Sequence, residues 1–162
     1  MQAINLWIEA LKHYSDKELL LQPSKDEWSI GQVYVHLLGD TRFYIEQIII
    51  CSSNDDNASK EANANGRIFL DNNSFPNEKL ENPFNANMQQ PANKEQLQKE
   101  TLQLKKALDT AAATILSANH KGKTKHPGLG YFSAAEWLQF ADMHFRHHLR
   151  QKERIDAFLG KK

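Results

Sequence analysis

Residues 133–155 read SAAEWLQFADMHFRHHLRQKERI, and this stretch decides the expected fold. Ser133, followed three residues later by Glu136, is the capping-box pattern that begins a helix. Apolar residues then recur at spacings of three and four, which predicts one amphipathic helix that reaches about Leu159 and ends before Gly160.

Three stretches nearer the N-terminus have the same apolar periodicity. They predict helices from about Ala3 to Leu20, from an N-cap at Ser29 to about Cys51, and from about Lys94 to Ala118. The sequence has no alternating apolar and polar pattern typical of strands. Four amphipathic helices without strands predict an all-α fold, built as a four-helix bundle.

The middle of the chain, from about residue 53 to 92, differs in composition from the predicted helices. Eleven of the thirteen asparagines lie between Asn54 and Asn93, together with three prolines, so this segment is expected to be irregular. One short ordered piece is expected around residues 67–70. A bundle with parallel neighbouring helices requires such a long crossover, so residues 1–162 are interpreted as a single domain.

Composition excludes several classes of protein. Twenty Lys and Arg balance twenty Asp and Glu, which disfavours a nucleic-acid partner. No apolar run approaches the roughly 20 residues that span a bilayer, and the N-terminal segment lacks a signal-peptide pattern, so we expect a cytoplasmic protein without a membrane partner. The single cysteine, Cys51, excludes an internal disulfide and a cysteine-rich zinc site. A metal would need histidines and carboxylates.

Two of the seven histidines interrupt the apolar face of the C-terminal helix. His144 and His148 are four residues apart, so their rings lie one turn above the other and can face a common centre. His36, in the middle of the second predicted helix, is the third candidate. Three neutral imidazoles with one coordination position left open are typical of catalytic zinc and similar divalent ions. The alternative is that the three histidines only exchange hydrogen bonds.

Two further residues are candidate catalytic groups. Asp40 lies one turn after His36 and is a candidate to accept the second ring proton of that histidine or to reach the metal itself. The alternative is that Asp40 is a solvated carboxylate, as most carboxylates on helices are. His126, in the turn before the C-terminal helix, is expected to be an ordinary turn residue or to contact substrate. Asp142, Arg146 and Gln151 also lie near the expected site. His147 is predicted at its rim, whereas His13 and His120 are predicted at the surface.

Two motifs resemble the DinB-like superfamily of metal-binding four-helix bundles, which includes bacterial thiol-dependent S-transferases. The first is WSIGQVYVHLLGD at residues 28–40, with His36 in mid-helix. The second is HPGLGYFSAAEWLQFADMHFRHHLRQKERI at residues 126–155, with its HxxxH spacing. The long crossover between two helical pairs is also similar. The resemblance covers most of the chain outside that crossover.

The resemblance implies an up-down-down-up bundle in which His36, His144 and His148 bind one divalent metal ion, commonly zinc or nickel. Related proteins conjugate or use low-molecular-weight thiols such as bacillithiol or mycothiol, and many have no assigned reaction. It therefore implies a small-molecule substrate, for which a low-molecular-weight thiol is one candidate. It also implies a metal-dependent S-transferase or hydrolase that activates a thiol or water. Asp40 and His126 are the candidate bases. The alternative is a non-catalytic metal-binding or interaction bundle.

Aromatic residues outside the main apolar faces bear on the oligomeric state. Tyr34, Phe43 and Phe132 are interpreted as surplus apolar surface, which on bundle helices often serves a dimer. We therefore expect a homodimer, as in much of the family that the chain resembles.

Overall fold

Helices make up most of the protein. The computed structural model describes residues 2–76 and 88–161, and their elements in chain order are α1 Ala3–Leu11, α2 Asp16–Leu20, α3 Ile30–Ser53, α4 Ala64–Asn72, α5 Lys94–Ser117, β1 Lys123–His126, β2 Gly130–Ser133 and α6 Ala134–Phe158. The expected helical class is therefore confirmed, with one small two-stranded sheet added to it.

Two of the three long helices begin where the capping patterns predicted. Ser29 caps α3, with its hydroxyl accepting from the Gln32 N–H and its own N–H donating to the Gln32 side chain. Ser133 caps α6 in the same way with Glu136. These reciprocal bonds satisfy N–H groups that a helix N-terminus otherwise leaves unpaired, so the residue pattern alone locates both starts.

The prediction of one continuous first helix is wrong. α1 ends at Leu11, and α2 begins only after Ser15, which forms a capping box with Glu18. Tyr14 lies in the intervening turn, and its hydroxyl donates to Asp156 at 2.5 Å near the end of α6. The local caps and this buried tyrosine favour a break in a stretch whose apolar spacing alone fits a single helix.

The crossover contains a helix longer than the ordered piece that was predicted. α4 is capped by the side chain of Asn63, and it ends at Asn72, just before Asn73, which adopts a left-handed backbone with a φ of 49°. Asparagine tolerates this conformation better than most residues, so the same composition that indicated a loop also limits a short helix. Residues 77–87 of the predicted crossover lie outside the described residues.

The segment that was predicted to be only a turn before α6 is a β-hairpin. β1 and β2 pair antiparallel, with Lys123 opposite Ser133 and His126 opposite Gly130. Gly130 has a φ of 87°, and a Cβ there would lie 2.4 Å from the backbone nitrogen of Asn63. Strands of four residues are too short to show a clear alternation, which is why the absence of strands was predicted in error.

The core lies where α3 packs against both α5 and α6, with α1 covering the last two helices. The Trp7 indole N–H donates to the Phe145 carbonyl oxygen at 3.1 Å, and the Tyr34 hydroxyl donates to the Trp7 carbonyl oxygen at 2.7 Å. The polar atoms of these two buried aromatic side chains therefore have hydrogen-bond partners. The two hydrogen bonds join α1 to α6 and α3 to α1.

The burial of two aromatic residues corrects their interpretation as surplus surface. Tyr34 and Phe132 lie fully within the core, and only Phe43 of the three is exposed, at 40%. They therefore give no support to a dimer interface. Among the described residues, no helix combines the length and apolar character that crossing a bilayer requires.

Candidate metal centre

The three predicted histidines meet at one point between α3 and α6. The Nε2 atom of His144 lies 3.0 Å from that of His36 and 3.1 Å from that of His148. Their possible ligand atoms all lie within 4.8 Å of one another, and within the described residues they form a group that can hold a metal ion. The predicted spacing thus places three nitrogens at one centre.

Helix geometry explains this convergence. His144 and His148 are one turn apart on α6, so their rings project in the same direction. α3 is the helix packed against that side of α6, and it supplies His36 from its first half. The three side chains are only 5%, 6% and 8% exposed, so the centre lies inside the protein and not on its surface.

Burial keeps these imidazoles neutral. Desolvation, reinforced by the charges of neighbouring histidines, lowers the pKa of His36 to about 4 and that of His148 to about 3. The same causes hold the pKa of the fully buried His144 well below its usual value. Neutral imidazole has a lone pair available, which is the form that binds a metal.

Hydrogen bonds alone do not satisfy this cluster. The Oε1 atom of Gln151 lies 2.8 Å from Nδ1 of His148, so this Nδ1 carries the proton and donates it, which leaves Nε2 of His148 as a lone pair. His144 has one Nε2 proton at most, and it cannot point at both neighbouring Nε2 atoms. The Nδ1 atoms of His36 and His144 are buried without a partner in the described chain. A cation among the three Nε2 atoms would fit this donor set.

Asp40 lies beside the cluster, as expected from its position one turn after His36. Its Oδ2 atom is 3.6 Å from Nε2 of His36 and 3.9 Å from Nε2 of His144. Burial raises the pKa of Asp40 to about 6, and a hydrogen bond from Tyr44 opposes that change. Its side chain is 38% exposed, so this carboxylate connects the buried histidines with solvent.

Aromatic rings surround the cluster, and the sequence analysis did not assign them to the site. Trp28 lies against His36 with ring centroids 5.1 Å apart, and Tyr44 lies 5.8 Å from His144. Phe75, which follows α4, lies 6.1 Å from His144 and 5.2 Å from His147. The position of Tyr44 two turns after His36 was a usable signal, whereas nothing in the sequence relates Phe75 to α6.

His126 is not brought into the cluster. Its ring packs against Phe132, Trp137 and Phe140, with the closest centroid 5.0 Å away, and its Nδ1 atom accepts the Gly128 N–H at 3.1 Å. Burial lowers the pKa of His126 to about 4. These contacts give the residue a role in packing the hairpin against α6.

The remaining polar candidates lie at the rim or at the surface. His147 contacts His148 with a centroid distance of 5.1 Å, and burial followed by the charges of Arg150 and Arg154 lowers its pKa. Arg146 pairs with Asp142 at 2.8 Å and points towards Asn73.

The two histidines predicted at the surface are found there. His13 and His120 are exposed, and His120 pairs with Asp55 at 3.1 Å.

Two surface clefts of the described chain lie away from the histidines. One, of about 400 Å³, lies between the ends of α3 and α5 and the start of α6, and it is lined by Cys51 and Lys121 among others. The second, of about 180 Å³, lies between α3 and the start of α5. Neither cleft includes a residue of the cluster, and Asp40, with a side chain that is 38% exposed, is a neighbour of the cluster that reaches solvent. The helix surface beside it is open at Gly39, where a Cβ would meet nothing within 4 Å.

Comparison with known protein families agrees with this geometry. A family model described as DinB superfamily matches residues 2–151, which include all three clustered histidines. No curated protein and no solved structure matches the chain significantly.

Proposed function

The chain belongs to the DinB superfamily, and from this membership we propose that it is a divalent-metal-binding protein that activates a thiol or a water molecule for reaction with a second small molecule. One observation carries the proposal. It is the convergence of three neutral, buried imidazoles, in which Nε2 of His144 lies within hydrogen-bond distance of Nε2 of both His36 and His148 and has too few protons to donate to both.

His36, His144 and His148 are the residues proposed to hold the metal. Three imidazole nitrogens suit zinc or nickel better than magnesium or calcium, which prefer oxygen ligands. When bound, the metal supplies Lewis acidity, which lowers the pKa of a thiol or water at the site. Gln151 orients His148 through its Nδ1 proton, so this histidine presents Nε2 to the centre.

Asp40 is the proposed base. It lies next to the cluster, its side chain is partly exposed, and its raised pKa of about 6 suits proton transfer near neutral pH. Asp40 would accept the proton of the incoming nucleophile, and the Tyr44 hydroxyl would hold the carboxylate in place. His126 is not proposed as the base, since it packs among aromatic residues of the hairpin side.

A thiol nucleophile would have to arrive with the substrate. Cys51 is 1% exposed, and burial raises the pKa of its thiol. Its Sγ atom lies 3.5 Å from the Thr124 hydroxyl and 3.5 Å from the Phe132 carbonyl oxygen, on the hairpin side of α3. A buried thiol with a raised pKa is a poor nucleophile. The proposed substrate is therefore a low-molecular-weight thiol.

Several finer features belong to the same proposal. The packing of α1, α3, α5 and α6 is interpreted as the up-down-down-up four-helix bundle of the family, with residues 1–162 as one domain. We further propose a cytoplasmic protein that acts on small molecules as a homodimer, without nucleic-acid or membrane partners. The equal numbers of acidic and basic residues support the first of these exclusions.

A second candidate function is a non-catalytic metal-binding or interaction bundle. The deep burial of the three histidines favours it, because structural metal sites are closed to solvent. Asp40 decides between the two functions. If its carboxylate fills the fourth coordination position, the site is structural, whereas an open fourth position favours catalysis.

Metal content and thiol conjugation test the proposal together. The wild type and His144→Ala would be purified without a metal-binding tag and assayed for bound metal and for conjugation of small thiols to an electrophile. We expect about one equivalent of metal and measurable turnover in the wild type, and loss of both in the variant, because a three-ligand site cannot keep its affinity with two ligands.

His13→Asn is the matched control, because it removes an exposed histidine outside the cluster. It should keep both metal and turnover. Equal activity of the wild type and His144→Ala would contradict the metal-dependent reaction. Bound metal in the wild type without turnover of any thiol or hydrolysable substrate would favour the non-catalytic function.

A further inference from the structure

One edge of α6 beside the histidine cluster carries two arginines. His147, Arg150 and Arg154 follow one another at intervals of three and four residues, so they share one face over two turns. Burial and then the charges of the two arginines lower the pKa of His147. We call these three residues the cationic row, after the arginines. His147 lies at its start, in ring contact with His148. The row therefore begins at the cluster and extends towards the C-terminal end of α6.

Arg154 differs from the other cations of this helix because nothing in the described chain pairs with it. Lys152 pairs with Asp156 at 2.6 Å, and Arg146 pairs with Asp142 at 2.8 Å. Within residues 2–76 and 88–161, the exposed Arg154 makes no hydrogen bond or ion pair. Its guanidinium group is therefore available, and its planar set of N–H donors matches the oxygens of a carboxylate or a phosphate.

The distances suit a small organic anion. Arg154 is six residues after His148, which corresponds to roughly 9 Å along the helix axis, and the long arginine side chain can cover much of that interval. Asp40 lies beside the cluster on α3, the helix that faces α6. A ligand would thus meet a carboxylate near the reacting centre and the Arg154 guanidinium group at its far end. This arrangement favours one orientation for a molecule with a single anionic end.

We propose that Arg154 binds the anionic end, a carboxylate or a phosphate, of the small molecule whose other end reacts at the histidine cluster. The assignment of the reacting end rests on the function proposed above. The anion site itself rests on the cationic row. Arg154 is in this respect a positioning residue, since it holds the substrate without touching the reacting atoms.

Equilibrium binding tests the anion site independently of any reaction. Metal-free wild type, Arg154→Gln and Lys99→Gln would be titrated calorimetrically with succinate and with inorganic phosphate. Lys99 is an exposed cation on α5, so its variant makes the same change in net charge away from the site. We expect Arg154→Gln to weaken binding of the preferred anion roughly tenfold, with Arg154→Lys between it and the wild type.

Equal affinities in the wild type and Arg154→Gln, or the same loss in Lys99→Gln, would overturn the proposal. The first result would mean that Arg154 serves only the stability of the helix C-terminus. Tighter binding of succinate than of phosphate assigns a carboxylate, and the reverse assigns a phosphate. Either preference supports the anion site only if it is lost in Arg154→Gln.

Turnover separates failure of this inference from failure of the proposed function. In metal-loaded protein, Arg154→Gln should raise the KM for mercaptosuccinate and leave that for 2-mercaptoethanol unchanged, because only the first thiol is anionic. If the wild type converts neither thiol but loses succinate binding with Arg154→Gln, the anion site stands and the thiol reaction fails. If both thiols react with unchanged KM in Arg154→Gln, the reaction stands and the anion site is refuted.

Discussion

Replacing His144 with leucine should stabilise the metal-free protein and abolish its stabilisation by metal. His144 is 6% exposed, its Nδ1 atom has no partner in the described chain, and its Nε2 atom faces two other Nε2 atoms. Leaving a buried polar atom unpaired costs about 1–3 kcal/mol. A volume-conserving exchange to leucine costs less than about 1.5 kcal/mol in packing.

The expected net effect in the absence of metal is a gain of about 1 kcal/mol in the free energy of unfolding, obtained by subtracting the packing cost from the removed penalty. With a divalent metal at 100 times its dissociation constant, the wild type gains about 2.7 kcal/mol and the variant gains nothing. His144→Leu should therefore be the more stable protein in chelator, and the wild type should be the more stable protein in excess metal.

Urea denaturation followed by circular dichroism at pH 7, with and without zinc, measures both effects. His147→Leu is the control, since it changes a neighbouring histidine that contacts His148 without joining the three converging Nε2 atoms. It should keep the metal-induced gain. The reasoning is refuted if His144→Leu gains as much stability from zinc as the wild type, or if it is clearly less stable than the wild type in chelator.

Three further effects follow from named contacts. The free energy of unfolding of the metal-free protein should fall as pH is lowered from about 6.5 to 4, because His36 binds a proton there in the unfolded chain but not in the folded one, where its pKa is about 4. His36 alone accounts for about 3 kcal/mol of this fall. A free energy of unfolding that does not change over that pH range would contradict the prediction. Gly31→Ala should lower the free energy of unfolding by about 2 kcal/mol, since a Cβ would lie 2.5 Å from the Leu19 carbonyl oxygen and 2.7 Å from Cγ of Pro91. An unchanged midpoint of urea denaturation would show that the neighbouring atoms move aside without cost. Ser133→Ala should cost about 1 kcal/mol by removing the α6 capping box, whereas Ser133→Asp should retain most of the stability, and equal losses in both would argue against the cap.

Local signals in the sequence were enough to predict the long helices and the three clustered histidines. Capping boxes at Ser29 and Ser133 are complete within four residues, so both helix starts could be predicted without knowledge of the fold. The pairing of His144 with His148 is likewise a property of one helix. His36 was predicted from its unusual position in mid-helix, and the packing of α3 against α6 brings it to the other two.

Contacts between distant segments could not be predicted in the same way. The break between α1 and α2 depends on Tyr14 reaching Asp156 across 142 residues. The ring of Phe75 beside His144 depends on how the segment after α4 returns to α6. The misplacement of Tyr34 at the surface has a related cause, because helix periodicity describes one apolar face, whereas α3 contacts partners on two sides. Phe132 was misplaced because it lies in β2, where helix periodicity does not apply.

X-ray absorption spectroscopy of the zinc-loaded protein tests the central claim most directly, because it counts the ligand atoms around the metal. We expect about three imidazole nitrogens at 2.0–2.1 Å per zinc, with one light-atom ligand completing the shell, and we expect two imidazoles after His36→Leu. A shell of oxygen ligands alone, or a spectrum unchanged by His36→Leu, would contradict a metal centre formed by His36, His144 and His148.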